Sequence, residues 1–409
     1  MNIVVVSTNF LPKNDAEAFC TARFASALSR AGHRVYAVTL QQQQGVSQDV
    51  YSAIVDSGIQ IVSVGYSLSD KYVLSQIRYR CPEREISACS ALIFETKKLL
   101  RQLDEPILVT RTYSVTSLVV GWHCRKYANK WICHLSDPIP SALWNPSFSL
   151  SPRKLKDWLK YQWIYNWIRR GLLDSDAVSV TCPGVIRFYN DRYGRSVDEK
   201  KVFVVTHIGD TRLAGLKNIV TFEKPRDGKL IVHPGDLYTS RKMDALAEAV
   251  RTINAEGLDC TLVHIGYGGL YGTRLQKEFP TAYVRYDRNA ELTVAASQVA
   301  DVLYTTDSIT GLPYSPQILS KFVYQLFEDK PILVETSADG IMHQCAVDYP
   351  EAGIFWVDRD DLSTMTEALK RALSCDVRKI DRSRVRLLFS EKSVVESFVQ
   401  KVCSLLNGD

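Results

Sequence analysis

The sequence predicts an α/β protein built from two tandem Rossmann-like, doubly wound domains. Short apolar runs alternate with helix-compatible stretches along most of the 409 residues, a pattern typical of buried parallel strands joined by crossover helices. The alternation is interrupted at residues 210–228, which have little apolar periodicity, and then restarts. A chain of this length is sufficient for about two domains of ordinary size.

The first domain is predicted from its opening unit of strand, helix and strand. An apolar run at residues 3–6 is followed by a polar loop at 7–15, a helix that extends to Ala31, and a second strand at 35–39. Gly32 stands where a left-handed C-cap is favoured. The further strands predicted in this half lie at residues 59–64, 106–109, 131–133, 177–180 and 202–205.

The second domain repeats this alternation. Its predicted strands lie at residues 230–233, 261–265, 282–286, 302–305 and 332–335, with helices at 243–253 and 318–327. The last predicted element is an amphipathic helix at residues 390–406, whose apolar side is expected to pack against the rest of the protein. We therefore expect an N-terminal domain of residues 1–205 joined by the C-terminal helix at 385–409, and a C-terminal domain of residues 206–384. Open parallel sheets bind ligands at the carboxyl ends of their strands, so two facing domains would arrange these loops around one cleft.

The composition excludes several classes of protein. With 46% hydrophobic and 23% charged residues the chain is not disordered, and a net charge of +5 is too small to indicate nucleic-acid binding. It contains no run of about 18 apolar residues and no basic leader, so we expect a cytoplasmic protein without a spanning helix or a secretion signal. The ten cysteines include no Cys-x-x-Cys pair, which predicts reduced, mostly buried thiols and no bound metal.

The loop at residues 234–242 is the strongest candidate for an anion site. Gly235 allows a ligand to approach the backbone, a helix is predicted to begin at the end of the loop, and Arg241 and Lys242 add two cations. An arginine about 4 Å from a phosphate gains roughly 4 kcal/mol at an effective dielectric constant of about 20. The alternative is an exposed basic pair at a helix start.

Two neighbouring loops offer further candidates. The run 265–269 contains Gly266 and Gly268 but lacks the complete G-x-G-x-x-G spacing of nicotinamide sites, and tight turning explains it equally well. After the loop at 306–316, Lys321 and Tyr324 share one helix face and can reach the same ligand, although surface residues have the same spacing.

In the first half, three polar residues lie at or near predicted strand ends. Asp137 follows the strand at 131–133 and could contact a substrate hydroxyl, with a turn or a helix cap as the alternative. Arg111 follows the strand at 106–109, and an exposed salt bridge is its alternative. His134 lies nearer its strand, where a hydrogen-bonded core histidine is favoured.

Two further sequence patterns each have a structural explanation beside the functional one. The triplets at residues 174–176 and 358–360 have the Asp-x-Asp spacing of divalent-metal sites, but one directly precedes an apolar strand and the other lies in a charged turn, so no metal site is predicted. The segment 151–173 mixes tryptophans with lysines and arginines. An anionic membrane surface and burial among helices both explain that mixture.

Several segments together match one pattern. Residues 28–35 read "LSRAGHRV", residues 205–210 read "VTHIGD", and Gly235 is followed six positions later by Arg241. The chain ends this series with "SKFVY" at 320–324 and "DKPI" at 329–332. These segments resemble the two-domain GT-B glycosyltransferases, most of all the retaining family 4, which has an "L…GH.V" start, an "NGVD" turn, a glycine with a phosphate-binding lysine, and a "G.PV" strand. The resemblance covers nearly the whole chain.

The chain also departs from that family. Asp236 stands in place of an arginine, Pro316 and Tyr324 occupy the places of two glutamates eight positions apart, and residues 15–18 replace a glycine pair. The Ser-Lys-x-x-Tyr pattern at 320–324 and the strand at 131–138 are similar to a branch of bacterial polysaccharide and lipopolysaccharide transferases.

The resemblance implies a sugar-nucleotide-dependent hexosyltransferase of bacterial surface polysaccharide synthesis, retaining and metal-independent, without a bound cofactor. It would act on a glycan or lipid-linked acceptor, with possible attachment to the inner membrane face through 151–173. Asp137 would orient the sugar or acceptor in a retaining reaction and act as the base in an inverting one. The donor-binding residues would be Gly235, Tyr238, Arg241, Lys242, Gly266, Tyr267, Gly268, Tyr286, Ser320, Lys321 and Tyr324, and the acceptor-binding residues Asn9, Asp15, Arg111 and His134.

Three alternatives stay open at this point. A sugar-nucleotide epimerase would use the same fold and consume a sugar nucleotide without an acceptor. A glycogen phosphorylase-like enzyme would need a pyridoxal-phosphate lysine, for which the sequence offers no candidate. A transferase-like scaffold subunit would have lost the two glutamates and kept the fold.

Overall fold

The computed structural model describes residues 1–42, 45–65, 72–112, 114–141, 143–194, 197–213, 221–237, 241–307 and 310–407. The chain divides into two compact units. The first contains Met1–His207 and Glu391–Asp409, and the second contains Ile208–Ser390.

The first unit contains a seven-stranded parallel sheet with the strand order β3-β2-β1-β4-β5-β6-β7. Its strands are β1 (Asn2–Val6), β2 (Arg34–Leu40), β3 (Gln60–Val64), β4 (Ile107–Thr112), β5 (Lys130–Leu135), β6 (Ala177–Val180) and β7 (Val202–Val204). The helices before the second unit are α1 (Ala16–Arg30), α2 (Gln48–Ile54), α3 (Tyr72–Tyr79), α4 (Cys89–Gln102), α5 (Val115–Cys124), α6 (Pro152–Asp174) and α7 (Pro183–Tyr193).

The second unit has a six-stranded parallel sheet in the order β10-β9-β8-β11-β12-β13. Its strands are β8 (Lys229–Pro234), β9 (Cys260–Ile265), β10 (Tyr283–Tyr286), β11 (Val302–Thr306), β12 (Ile332–Thr336) and β13 (Ile354–Asp358). Its helices are α8 (Asp244–Ala255), α9 (Gly269–Glu278), α10 (Ala290–Val299), α11 (Ser320–Gln325), α12 (Ile341–Asp348), α13 (Met365–Leu373) and α14 (Ser383–Leu388), and α15 (Glu391–Asn407) follows in the first unit.

Both sheets are doubly wound, because the strand order reverses beside the first strand of each unit. In the second unit the reversal lies between β8 and β11, which pair directly. In the first unit it lies between β1 and β4. Ligands of such sheets bind at the carboxyl ends of the strands beside the reversal. The loops after β1, β4, β8 and β11 are therefore the positions where the fold favours a ligand.

The first strand and helix form for reasons visible in the sequence. The side chains of β1 after Asn2 are all buried, as expected for a strand covered on both faces. The Asp15 carboxylate accepts a hydrogen bond from the Ala18 N–H at 2.8 Å and so caps α1. At the other end, Gly32 has a φ of +85°, which confirms the predicted left-handed cap.

The last helix, α15, packs on the first unit. The ring of Phe398 lies edge-on to Phe24 of α1, with the ring centroids 5.3 Å apart. The Arg30 guanidinium forms a salt bridge with the Glu391 carboxylate, and the nearest nitrogen and oxygen are 2.7 Å apart. The N-terminal and C-terminal segments of the chain thus complete one hydrophobic core together.

All twelve predicted strands are present, with ends that differ by a few residues at most. The strand β13 is an addition to the prediction, and its residues Ile354, Phe355 and Trp356 are only partly buried. The ten cysteines are free thiols and eight of them are buried, as predicted. In the part of the chain that the structure describes, no helix is both long enough and apolar enough to cross a membrane.

Candidate functional site

Two glycine turns follow the neighbouring strands β8 and β9. Gly235 has a φ of +100° and Gly266 a φ of +159°. The Gly235 N–H donates to the Ile265 carbonyl oxygen at 2.8 Å, and the Leu237 N–H donates to the Tyr267 carbonyl oxygen at 2.9 Å. A Cβ on Gly266 would collide with the carbonyl oxygen of Gly235, so this close approach of the two loops requires glycine.

The amine of Lys321, on α11, lies beside the first turn. A Cβ on Gly235 would lie 3.6 Å from this amine, so the glycine leaves room for an atom in van der Waals contact with the amine. Burial lowers the pKa of Lys321 well below its usual range, and the positive charge of Arg241 lowers it further. An anion bound in the space beside Gly235 would stabilise the charged amine.

Two buried histidines support these turns from inside the sheet. His233 and His264 are paired in register on β8 and β9, with ring centroids 5.2 Å apart. His264 Nε2 lies 2.9 Å from the Gly235 carbonyl oxygen, and its Nδ1 lies 2.8 Å from the Tyr283 hydroxyl. Burial lowers the pKa of His264 to about 4 and that of His233 well below its usual range, so both rings are neutral near pH 7.

Asp236, which follows the first glycine, is balanced by an arginine. The Arg288 guanidinium forms a salt bridge with the Asp236 carboxylate, which also accepts a hydrogen bond from the Tyr267 N–H at 2.9 Å. Arg241 is only 7% exposed, and its guanidinium lies 3.3 Å from the Asp236 carbonyl oxygen. Asp236 therefore lies near two arginines, Arg241 of its own loop and Arg288 from the segment between β10 and α10.

The remaining residues predicted to bind the donor lie in or near the loops and helices that surround Gly235 and Lys321. Lys242 is exposed, in contrast to the adjacent Arg241, and α8 begins only at Asp244. Gly268 directly precedes α9. Ser320 and Tyr324, on α11, are half-buried, as is Tyr286 at the end of β10. Tyr238 lies outside the described residues.

Two buried carboxylates lie at the ends of β11 and β12. Asp307 is 1% exposed and lies 3.6 Å from the Arg359 guanidinium. Glu335 accepts a hydrogen bond from the Tyr304 hydroxyl at 2.5 Å, and burial raises its pKa to about 7. Sequence reasoning does not select any of these residues, since each carboxylate lies in or directly after an apolar strand.

In the first unit, the loop after β1 is closed by its own side chains. The Asn9 amide donates to Asp15 at 3.0 Å, and the Lys13 amine lies 2.9 Å from Asn9 Oδ1 and 2.8 Å from Asp15. Asn9 and Asp15 therefore contact each other and Lys13 in this loop, and their binding of an acceptor stays a prediction.

Arg111 lies within β4 and is 3% exposed, which corrects the expectation that it follows the strand. Its Nε lies 3.3 Å from Glu17 Oε1, and its guanidinium stacks on the Phe24 ring at 5.3 Å. The Ser136 hydroxyl donates to the same Glu17 oxygen at 3.1 Å. The buried pair of Arg111 and Glu17 thus links β4 to α1, and the hydrogen bond from Ser136 links the loop after β5 to the same carboxylate.

His134 and Asp137 lie at the carboxyl end of β5. His134 Nδ1 lies 2.9 Å from the Ser179 hydroxyl, and burial lowers the pKa of His134 well below its usual range, with Arg111 adding to the effect. This agrees with a core histidine. Asp137 is half-buried, and its carbonyl oxygen accepts a hydrogen bond from the Tyr189 hydroxyl at 3.0 Å.

No group of three or more histidine, cysteine or acidic side chains within the described ranges is arranged to hold a metal ion. In the first Asp-x-Asp triplet, Asp174 accepts from the Trp122 indole at 2.7 Å and Asp176 accepts from the Trp131 N–H at 2.8 Å. Both carboxylates therefore have structural partners.

One signal in the sequence could have identified the histidine pair. Strands β8 and β9 end in the same pattern, Val232-His233-Pro234-Gly235 and Val263-His264-Ile265-Gly266. A repeated Val-His-x-Gly ending puts both histidines at one level of a parallel sheet. The salt bridge of Asp236 to Arg288 has no such signal, because these residues are separated by two strands and two helices.

Comparison with known proteins gives a clear result for the fold. No model of a protein family matches the sequence, and no curated protein is significantly similar to it. Solved structures do match over the whole chain. Sucrose-phosphate synthase from Thermosynechococcus elongatus has a TM-score of 0.67 at 14% identity, with 100% of both chains covered.

Two further structures give similar values. A glycosyltransferase from Rickettsia africae ESF-5 has a TM-score of 0.64 at 13% identity and covers 100% of this chain and 99% of its own. Anabaena HepE in complex with UDP-glucose has a TM-score of 0.63 at 12% identity and covers 99% of this chain and 100% of its own. The chain therefore has the two-domain GT-B fold, with a Rossmann-like sheet in each unit.

Proposed function

We propose that the chain is a glycosyltransferase that takes a sugar from a nucleoside-diphosphate donor bound by the second unit. The observation that carries this proposal is the amine of Lys321 beside the glycine turn at Gly235, next to the reversal of strand order. Ligands of doubly wound sheets bind at this position. The GT-B fold and the UDP-glucose complex of HepE support a sugar nucleotide as the ligand.

In the proposed reaction, the oxygen of an acceptor hydroxyl forms a bond to the anomeric carbon, and the bond between this carbon and the diphosphate breaks. Negative charge develops on the leaving diphosphate, which takes up the hydroxyl proton in a retaining reaction. The Lys321 amine lies beside Gly235 and close to Arg241, and a bound diphosphate would stabilise its charged form before the sugar is transferred. Such preorganised charges stabilise a leaving anion more effectively than mobile groups do. Arg288 offsets the carboxylate of Asp236, which would otherwise repel the diphosphate. We therefore propose metal-independent transfer.

We propose that the acceptor binds the first unit beside Asp137. A half-buried aspartate after β5 can orient a hydroxyl in a retaining reaction, the outcome that the sequence resemblance implies. In an inverting reaction the same carboxylate would remove the proton. The buried Arg111 and His134 would then position the surrounding backbone rather than contact the acceptor. Anomeric analysis of the product by NMR distinguishes the two reactions.

The proposed acceptor is a bacterial surface glycan or its lipid-linked precursor. Near the start of α6, Phe148 is 60% exposed and Leu150 is 82% exposed, and Arg153, Lys154 and Lys156 also lie in this short segment. Apolar and basic side chains so close together favour an anionic membrane surface. Flotation with phosphatidylglycerol vesicles tests this attachment, and Leu150→Ser should weaken it. Equal flotation of both proteins would contradict it.

The donor is identified by incubating the protein with UDP-, GDP-, ADP- and dTDP-sugars, with magnesium or with EDTA. A bound donor should raise the melting temperature by several degrees, since saturation at a hundredfold excess over Kd stabilises by about 2.7 kcal/mol. Release of free nucleotide should occur equally with EDTA. The absence of a shift with every donor would reject the proposal.

The same experiment separates the alternatives. A changed sugar that remains attached to its nucleotide, without any acceptor, would identify an epimerase. A thermal shift without nucleotide release, in the presence of glycan acceptors, would favour a scaffold subunit. The occupation of the two family glutamate positions by Pro316 and Tyr324 makes this second alternative worth testing.

A further inference from the structure

A cavity of about 350 Å³ lies in the first unit between α3, α5 and α6. Trp122 and His123, which line it, belong to the last turn of α5. This helix connects the carboxyl end of β4 to the amino end of β5, so its last turn lies near the amino edge of the sheet. The cavity is therefore distant from the loops at the carboxyl edge, where Asp137 lies.

The interior of the cavity is aromatic and firmly held. The indoles of Trp122 and Trp167 lie edge-on, with ring centroids 5.8 Å apart. The Trp167 N–H donates to the Tyr79 carbonyl oxygen at 2.8 Å, which fixes the end of α3 against α6. Trp163, one turn earlier on α6, is half-buried and lines the same space. Flat indole faces of this kind suit the apolar face of a sugar ring.

Three exposed arginines surround this aromatic interior. Arg170 stacks on both Trp122 and Trp167, with its guanidinium carbon 5.0 and 4.6 Å from the ring centroids. Arg78, in the last turn of α3, and Arg80, directly after this helix, also line the cavity. Within the described residues, none of these three guanidiniums forms a salt bridge with a carboxylate.

The electrostatics of this cavity favour an anion, and the backbone of one lining arginine is held in an uncommon conformation. Arg80 has a φ of +48°, a left-handed conformation that costs about 1 kcal/mol or more for a residue other than glycine. Burial lowers the pKa of His123, and every charged group that adds to this shift is a cation, including Arg78, Arg125 and Arg170. The charged side chains that line the cavity are the three arginines, and the carboxylate of Asp174 lies at its border, where it accepts a hydrogen bond from the Trp122 indole at 2.7 Å.

We infer that this cavity is a second ligand site that binds a phosphorylated monosaccharide, with the phosphate on the arginines and the sugar ring on Trp163. Asn166 lies three residues after Trp163 on the same helix face and can hydrogen-bond a sugar hydroxyl. The volume is near the lower end of small-molecule sites, about 300–1,000 Å³, which fits a sugar phosphate better than a sugar nucleotide. The site goes beyond the proposed transferase reaction, whose donor binds the other unit.

The test measures binding by tryptophan fluorescence and calorimetry, with hexose 1-phosphates, hexose 6-phosphates, the neutral hexoses and inorganic phosphate as probes. At least one sugar phosphate should bind at least tenfold more tightly than either the neutral sugar or inorganic phosphate. The double variant Arg78→Gln with Arg80→Gly should bind it at least tenfold more weakly. Glycine suits the left-handed position, so the variant should stay folded, which its melting temperature checks.

Arg169→Gln is the matched control, because this arginine is exposed on the same helix as Arg170 but does not line the cavity. Its affinity should equal that of the unaltered protein. Equal binding by the double variant, equal binding of the neutral sugar, or no binding of any sugar phosphate would overturn the inference. Phosphatidylglycerol vesicles that bind through Arg78 and Arg80, while sugar phosphates do not, would overturn it too.

Discussion

The amine of Lys321 lies 2.9 Å from Nε2 of His233, although the two residues belong to different elements of the second unit, α11 and β8. A protonated histidine would repel a charged amine at this distance. Burial lowers the pKa of His233 well below its usual range, so the neutral ring can accept a hydrogen bond from the amine. The histidine thereby holds the lysine beside Gly235.

Replacement of this histidine should weaken donor binding through the lysine. His233→Leu removes the acceptor. The hydrogen bond strengthens by about 1 kcal/mol when nucleotide binding charges the amine, so the Kd for the donor nucleotide should rise about tenfold without it. His233→Gln retains an oxygen that can accept and should bind within a few fold of the unaltered protein. Equal losses in both variants would mean that the ring acts only through packing.

Removal of the amine itself should abolish most of the activity. Lys321→Met keeps the length of the side chain and removes the charge, and we expect kcat to fall about 100-fold or more. Nucleotide binding should also lose its proton uptake, because an anion raises the lowered pKa of the lysine. Calorimetry in two buffers of different ionisation enthalpy measures this uptake.

Lys277→Met provides the control, since Lys277 is exposed on α9 in the same unit. It should leave both turnover and proton uptake unchanged. Unaltered turnover in Lys321→Met would remove the lysine from the proposed site and leave the fold assignment intact.

Gly235→Ala should separate function from stability. Gly235 and Gly257 have φ values of +100° and +93°, so alanine at either position should cost a similar free energy of unfolding, about 1 kcal/mol. A Cβ on Gly257 would meet no atom within 4 Å, whereas a Cβ on Gly235 would occupy the space beside the Lys321 amine. Only Gly235→Ala should therefore weaken nucleotide binding. Equal binding by both variants in a titration would contradict a ligand at this turn.

The stability of the protein should decrease as the pH falls from about 6.5 towards 4. The pKa of His264 is about 4 in the folded chain and about 6.5 when unfolded, so in this range the unfolded state binds more protons. The contribution is fully present above pH 6.5, and roughly 3 kcal/mol is lost by pH 4. Denaturant titrations at several pH values measure this slope, and His264→Gln should reduce it. An unchanged slope would show that other groups control it.

The buried pair of Arg111 and Glu17 should be sensitive to the loss of one partner. Arg111→Met leaves the Glu17 carboxylate buried without its cation and should cost about 3–5 kcal/mol in the free energy of unfolding. The double variant Arg111→Met with Glu17→Leu should recover most of this loss. Urea denaturation of the two variants measures the difference, and equal losses would indicate that packing on Phe24 dominates.

Most of the fold can be predicted because its signals are local. Each apolar run that is buried in one of the two sheets indicates a strand directly, and Asp15 and Gly32 bound α1 by the chemistry of helix caps. The strand β13 escapes prediction, because its residues Ile354, Phe355 and Trp356 are only partly buried and its pattern is correspondingly weak. The second unit ends at Ser390 because the next helix, α15, packs in the core of the first unit.

The candidate site can be predicted only in part. Gly235, Arg241 and Lys321 stand out in the sequence because glycine turns and cations after strands are typical of anion sites. Their environments do not follow from the same pattern: Arg241 is buried whereas the adjacent Lys242 is exposed. Such a difference depends on neighbours from distant segments, which local periodicity does not encode.

Residue type and spacing alone specify the two parallel sheets, their order along the chain and the glycines at their edges, because backbone conformation and burial follow from local chemistry. Which side chains meet depends on the packing of the folded units. Packing joins His233 to Lys321 and Arg288 to Asp236, and it buries Arg111 against Glu17. These pairings combine residues far apart in sequence, and their energies arise from desolvation and distance, quantities that exist only in the folded chain.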